Sequence, residues 1–301
     1  MLFGGKTVRA NVVKDALRFA DERGFHLVFG AMVGGCSKGV QYYDSDYDTR
    51  FLYLDKNVNR IFYPWEEKEQ DLKHRIYFDD AVSPYEWIPL WEITSFFQFL
   101  KNPAFDGRRS FGLYNIVGWT LQSPYTWDPY GLSQKLMPLV NAIFRKEYYI
   151  PYHVEEIRRL WTTRKKELIA KDYIYAIYEA LCILYAVQYN VFPPVYMKTL
   201  SAALLEEPLS RDVFAMIHSA QKQAEVFCQA SGSTSMHETH TLGMLRREEK
   251  YDQIIQLALE KAAGIPASGL SEQTLDRQIH RIYLIIEEAV YHEQCVRRAE
   301  D

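Results

Sequence analysis

No apolar run in the chain approaches the roughly 20 residues that span a bilayer; the long ones, Ala180–Val187 among them, stop at eight. The first residues, Met1-Leu2-Phe3-Gly4-Gly5-Lys6, lack the apolar core of a secretory signal, so none is expected. Cysteine is scarce: Cys36, Cys182, Cys228 and Cys295 are scattered, with no CxxC pair and no disulfide-framework spacing. A reducing compartment, the cytoplasm, is the economical expectation, with no membrane partner. Basic charge is not in excess either. With 35 Lys and Arg against 39 Asp and Glu, the net charge is −4, which excludes a protein that coats nucleic acid nonspecifically and leaves only local contact. Hydrophobic residues at 48% and charged residues at 25% exclude a disordered or fibrous chain.

What the chain does have in quantity is aromatic residues: 22 Tyr, 16 Phe and 6 Trp. Most are expected to fill the core, although tyrosines can also stack on a base. The first third reads as mixed α and β. Val8–Arg23 has helical periodicity, and Phe25–Val33 is a buried strand stopped by Gly34-Gly35. Tyr47–Leu54, Arg60–Tyr63 and His74–Phe78 read as strands, Tyr85–Leu90 as a weaker one, and Trp91–Leu100 as a helix ended by Pro103. From Leu132 the pattern is helical, over Leu132–Phe144, Val154–Ile169, Tyr173–Asn190, Tyr196–Leu205, Arg211–Gln229, Leu242–Ala263 and Ser271–Ala299. The expected class is therefore α+β, a mixed-sheet domain over residues 1–127 followed by a helical domain over residues 128–301.

The chemistry concentrates between Val33 and Phe51. Two glycines follow a strand, ten residues intervene, and Asp46-Tyr47-Asp48 opens the next strand. Side chains alternate faces along a strand, so Asp46, Asp48 and Arg50 point the same way. Two carboxylates one pleat apart can bridge two divalent ions about 3.5–4 Å apart, as in-line nucleotidyl transfer requires. Carboxylate oxygens suit Mg²⁺, with Mn²⁺ as a substitute. Gly34 and Gly35 allow backbone N–H groups to approach a triphosphate. Each half alone reads as a plain turn or loop; the order and spacing together make the pattern specific.

This stretch resembles the signature of the DNA polymerase β-like nucleotidyltransferase superfamily, which is apolar-Gly-Gly/Ser, about ten residues, then acid-apolar-acid-apolar. Its context is similar to the predicted nucleotidyltransferases of the RNA-repair-associated branch, with Gly39, Ser45-Asp46-Tyr47-Asp48, Arg50 and Phe51 in register. Gly35 stands where that branch has serine. Further likenesses are Trp91-Glu92 with Lys101-Asn102-Pro103, Leu121-Gln122-Ser123-Pro124, and Lys171-Asp172-Tyr173-Ile174-Tyr175 followed by Pro193-Pro194; Tyr178 stands where the branch has arginine. The resemblance implies a polymerase β-like catalytic domain and a helical domain forming the other wall of a cleft. It implies two Mg²⁺ held by Asp46, Asp48 and a third acid, for which Glu86 is the first candidate and Asp79 and Asp80 are alternatives. It also implies nucleotide contacts from Gly34, Gly35, Lys38, Ser45, Arg50, Lys171 and Tyr175. Lysine brings a point charge to the triphosphate and tyrosine a ring to the base.

The expected function is thus metal-dependent transfer of an NMP from an NTP to an acceptor hydroxyl, with release of pyrophosphate. The resemblance suggests an RNA or tRNA end as acceptor; a protein side chain or a small molecule such as an aminoglycoside stays open. The rival expectations are a catalytically eroded nucleotide- or RNA-binding module on the same fold, and a structural interaction protein. Met236-His237-Glu238-Thr239-His240 has a His–His spacing of three and reads as a solvated loop; the basic clusters Arg158-Arg159 and Arg164-Lys165-Lys166 read as a solvated helix face.

Overall fold

The structure is a computed structural model; it describes residues 5–41, 48–55, 76–77, 90–102, 104–105, 108–109, 111–161, 167–231 and 244–300. In chain order the elements begin with α1 (Gly5–Glu22), β1 (Phe25–Met32), α2 (Gly34–Lys38), β2 (Thr49–Asp55), β3 (Ile76–Tyr77), β4 (Leu90–Glu92) and α3 (Ile93–Gln98). They continue with β5 (Ala104–Phe105), β6 (Arg108–Arg109), α4 (Phe111–Leu121), β7 (Thr126–Trp127), α5 (Leu132–Ala142), α6 (Lys146–Leu160) and β8 (Glu167–Ile169). The rest is helical apart from one short strand: α7 (Ala170–Tyr189), α8 (Met197–Leu204), α9 (Glu207–Ser231), β9 (Met244–Arg246), α10 (Glu249–Ala262) and α11 (Glu272–Glu300). The class is α+β, and no described helix is long and apolar enough to cross a membrane.

The chain divides into two compact units. The first comprises Met1–Gly34, Tyr47–Ile143 and Gly269–Asp301; the second comprises Gly35–Asp46 and Phe144–Ser268. This corrects the expected single cut between residues 127 and 128. The last helix belongs with the sheet, because the buried Tyr283 of α11 donates its hydroxyl to Thr94 O at 2.7 Å and Gln98 Nε2 of α3 donates to that hydroxyl at 3.2 Å. Lys101 adds an ion pair to Asp276 at 2.9 Å. The segment after Gly34 goes the other way, into the helical unit.

The first unit is built on a mixed sheet of order β3-β4-β2-β1-β7, in which β2 and β4 run parallel and the other pairs antiparallel. In β1 every residue but His26 is buried, the signature of a strand covered on both faces. Helix α1 lays Val12, Ala16, Phe19 and Ala20, at i, i+4, i+7 and i+8 along one face, on Phe25, Leu27, Phe51 and Tyr53. Phe25 stacks on Tyr53 at 4.2 Å. Burying one such ring contributes about 1.5–3 kcal/mol, so this cluster holds the two central strands in register.

Trp91 and Glu92, expected within a helix, close the strand β4 instead. Glu92 then caps α3, accepting from the Ser95 N–H at 2.8 Å and the Thr94 N–H at 3.1 Å. A carboxylate there satisfies orphan amides and suits the positive end of the helix. The helix expected over Val154–Ile169 begins earlier, at Lys146, and stops at Leu160; β8 follows and pairs with β9, where helix was expected from Leu242. In the second unit Asp252 of α10 ties its surroundings together, accepting from Tyr173 Oη at 3.0 Å and Trp161 Nε1 at 3.0 Å while pairing with Arg247. Arg60–Tyr63, residues 85–89, Arg164-Lys165-Lys166 and Met236–His240 lie outside the described residues.

Candidate functional site

The two-glycine motif follows the end of β1, as the sequence pattern expects, and forms the first two residues of the short helix α2. The last antiparallel bond of the β1–β2 pair runs from Val33 N–H to Asp48 O at 2.8 Å, and β2 begins one residue later. That bond sets Asp48 beside Gly34. Gly34 has φ +66°, and a Cβ there would run into the Asp48 carboxylate. Glycine is therefore required twice over, by backbone conformation and by the close approach of the acid. Asp48 itself is exposed, flanked by the buried Thr49.

Gly34→Ala is expected to destabilise the first unit by about 1–3 kcal/mol from the left-handed backbone alone, with displacement of Asp48 added. Gly131→Ala is the control, since Gly131 has φ +65° and nothing within 4 Å of its would-be Cβ. Thermal unfolding should rank Gly34→Ala clearly below Gly131→Ala; equal melting would mean that Asp48 does not press on Gly34.

In the second unit, Gly35 lets the backbone come against α7: a Cβ on it would stand 2.9 Å from the Tyr175 hydroxyl. Tyr175, expected to stack on a base, is half-buried and turns its hydroxyl to the motif. Lys171, four residues earlier on the same helix, is exposed. Lys38 departs from expectation. Read as a triphosphate contact, it is only 8% exposed, and its ammonium lies 3.3 Å from Glu179 Oε1 and 4.5 Å from the Tyr178 ring. Glu179 Oε2 is in turn held by His153 Nδ1, in a wholly buried contact. Tyr178 donates to Val195 O at 3.1 Å and belongs to the core, as do Tyr149 and Tyr173.

Burial by itself would raise the Glu179 carboxyl, but the Lys38 ammonium and then His153 outweigh it and hold it at about 2. Burial likewise pulls on Lys38, and Glu179 overrides it, so Lys38 stays charged beyond the ordinary lysine range. In the first unit Arg50 sits 5.4 Å above the Trp91 ring of the neighbouring strand.

Glu179 and His153 escaped the sequence reading. The available signal was that Glu179 is the only charged residue between Tyr173 and Tyr189, a lone acid in an apolar helix. Ser45, Asp46, Glu86, Asp79 and Asp80 lie outside the described residues, so of the expected acids only Asp48 is seen. Among the described residues no group of three His, Cys, Asp or Glu side chains could hold a metal ion. What Asp48 offers fits a hard cation: an exposed carboxylate fixed by backbone at a strand end.

No protein-family model matches the chain, and no solved structure matches it. Among curated proteins, the uncharacterized protein YcgL of Bacillus subtilis (strain 168) is 20% identical over 205 residues, covering 67% of this chain and 72% of that protein.

Proposed function

We propose that the protein is a nucleotidyltransferase of the polymerase β-like type. It moves an NMP from an NTP to an acceptor hydroxyl, which attacks the α-phosphorus as pyrophosphate leaves and the hydroxyl proton passes to a carboxylate. The observation that carries this reading is the corner at Gly34, where the acid two residues after Asp46 packs over a left-handed glycine at the end of a strand. A plain turn needs no carboxylate at that place. Here the glycine backbone would face the triphosphate, and Asp48, with Asp46 and Glu86, would hold Mg²⁺. Bound there, Mg²⁺ would neutralise charge on the phosphates. Lys171 and the Tyr175 hydroxyl are the nucleotide contacts that this reading assigns to α7. An RNA or tRNA end is the acceptor class favoured, and the cytoplasm the compartment.

The test is direct. The protein is incubated with each of four α-labelled NTPs, Mg²⁺ and bulk RNA, and label is sought in RNA, protein and small molecules. Label in RNA from one NTP in preference to the others is expected. No transfer to any acceptor, together with no NTP binding, would overturn the reading. Binding without transfer would leave the eroded module instead.

A further inference from the structure

The buried ion pair is not needed by the chemistry proposed above, and it is expensive. Lys38, Glu179 and His153 are 8%, 1% and 0% exposed. Taking the Lys38 and Glu179 charges out of water costs free energy that a hydrophobic replacement of the same volume often avoids. Its place is informative. Tyr175, Tyr178 and Glu179 recur at three- and four-residue spacing on one face of α7. That face grips the short segment after the motif at two points: the Tyr175 hydroxyl at Gly35, and Glu179 at Lys38, whose ammonium also lies 4.5 Å from the Tyr178 ring and 5.0 Å from that of Tyr175. His153 of α6 fixes the far oxygen of Glu179, so the carboxylate cannot turn away. The segment's other end is tied too, since Gln221 Nε2 of α9 donates to Gln41 O at 2.8 Å.

We propose that Lys38, Glu179 and His153 form a clamp that positions the backbone of residues 35–41, and with it the Gly35 half of the two-glycine corner, for the nucleotide. This rests on the nucleotidyltransferase reading. Lys38 is then a positioning residue rather than a phosphate contact, and the phosphate-facing work falls to the backbone it holds.

The experiment uses the full chain as wild type, Lys38→Arg, and the double variant Lys38→Met with Glu179→Gln. The double variant removes the Lys38 and Glu179 charges together, so neither is left buried without the other, and position is separated from stability. It is expected to melt within about 5 °C of wild type. The amides of Cys36–Val40 should nevertheless exchange at least about tenfold faster, while those in the middle of α7 keep their protection. kcat/KM for nucleotidyl transfer should fall at least about tenfold, and Lys38→Arg should recover most of it. Wild-type exchange at Cys36–Val40 in the double variant overturns the clamp. So does a double variant that melts far below wild type, because the pair would then be supplying stability rather than position. Wild-type transfer alongside faster exchange overturns the link to the nucleotide. If the wild-type protein transfers nothing while exchange responds as expected, the clamp stands and the nucleotidyltransferase reading falls.

Discussion

Glu179→Gln is expected to destabilise the second unit by about 3–5 kcal/mol, because it leaves the Lys38 ammonium buried without an anion. At that size the unfolding transition of the unit moves down by roughly 10 °C. The effect should depend on pH in a defined direction. The folded Glu179 carboxyl lies at about 2, below the 4.5 of an ordinary glutamate. A group lowered on folding contributes stability that is present above its unfolded pKa and is lost as pH falls through the folded one. The contribution of Glu179, on the order of 3 kcal/mol, is therefore complete above about pH 5 and gone near pH 2. Wild type and Glu179→Gln should differ most near neutral pH and converge in acid. Scanning calorimetry of both proteins from pH 7 to pH 2 checks this. A gap that does not narrow would mean that the carboxylate charge is not what the variant removes.

Local chemistry made half of this protein legible from its residues. The end of β1, the two glycines and the start of β2 follow from an apolar run, a breaker and an alternating run, and the structure has each within three residues of its expected place, with Asp48 just ahead of the strand it was expected to open. Helices α7, α8 and α11 follow from the spacing of apolar residues; in α11 the buried stripe Leu275, Ile279, Ile282, Tyr283, Ile286 and Val290 is that spacing. What α11 packs on was not legible, because the Tyr283–Thr94 bond joins residues 189 apart. The same distance hid the clamp: Lys38 and Glu179 are 141 residues apart, and nothing local to Lys38 distinguishes a lysine that meets a phosphate from one that meets a buried acid. Helix α6 starts eight residues before the expected Val154 and runs through Pro151, its sixth residue, where the proline gives up one intrahelical bond that the rest of the helix outweighs. Trp91 and Glu92 fit a helical period, yet pairing of β4 with β2 decided for strand and left Glu92 as the cap.

Asp48→Asn is expected to abolish nucleotidyl transfer and to leave the fold alone. The acid is exposed, and its structural bond to Val33 N–H is made by the backbone carbonyl, which the substitution keeps. An amide has the shape of the carboxylate, so its contact with Gly34 survives as well. What disappears is one negative charge at the place where the proposed chemistry gathers Mg²⁺ and phosphate. Charge stabilisation of that kind is worth several kcal/mol in the transition state, so a rate loss of at least about a thousandfold is the order expected. An exposed polar substitution away from a cap or a core moves stability by about 0.5 kcal/mol or less. The two readouts therefore separate. Label transfer should vanish while thermal unfolding without Mg²⁺ stays within about 2 °C of wild type. Wild-type transfer would take Asp48 out of the mechanism. A large drop in melting temperature would make the acid a structural partner of Gly34, and the corner no more than a tight turn.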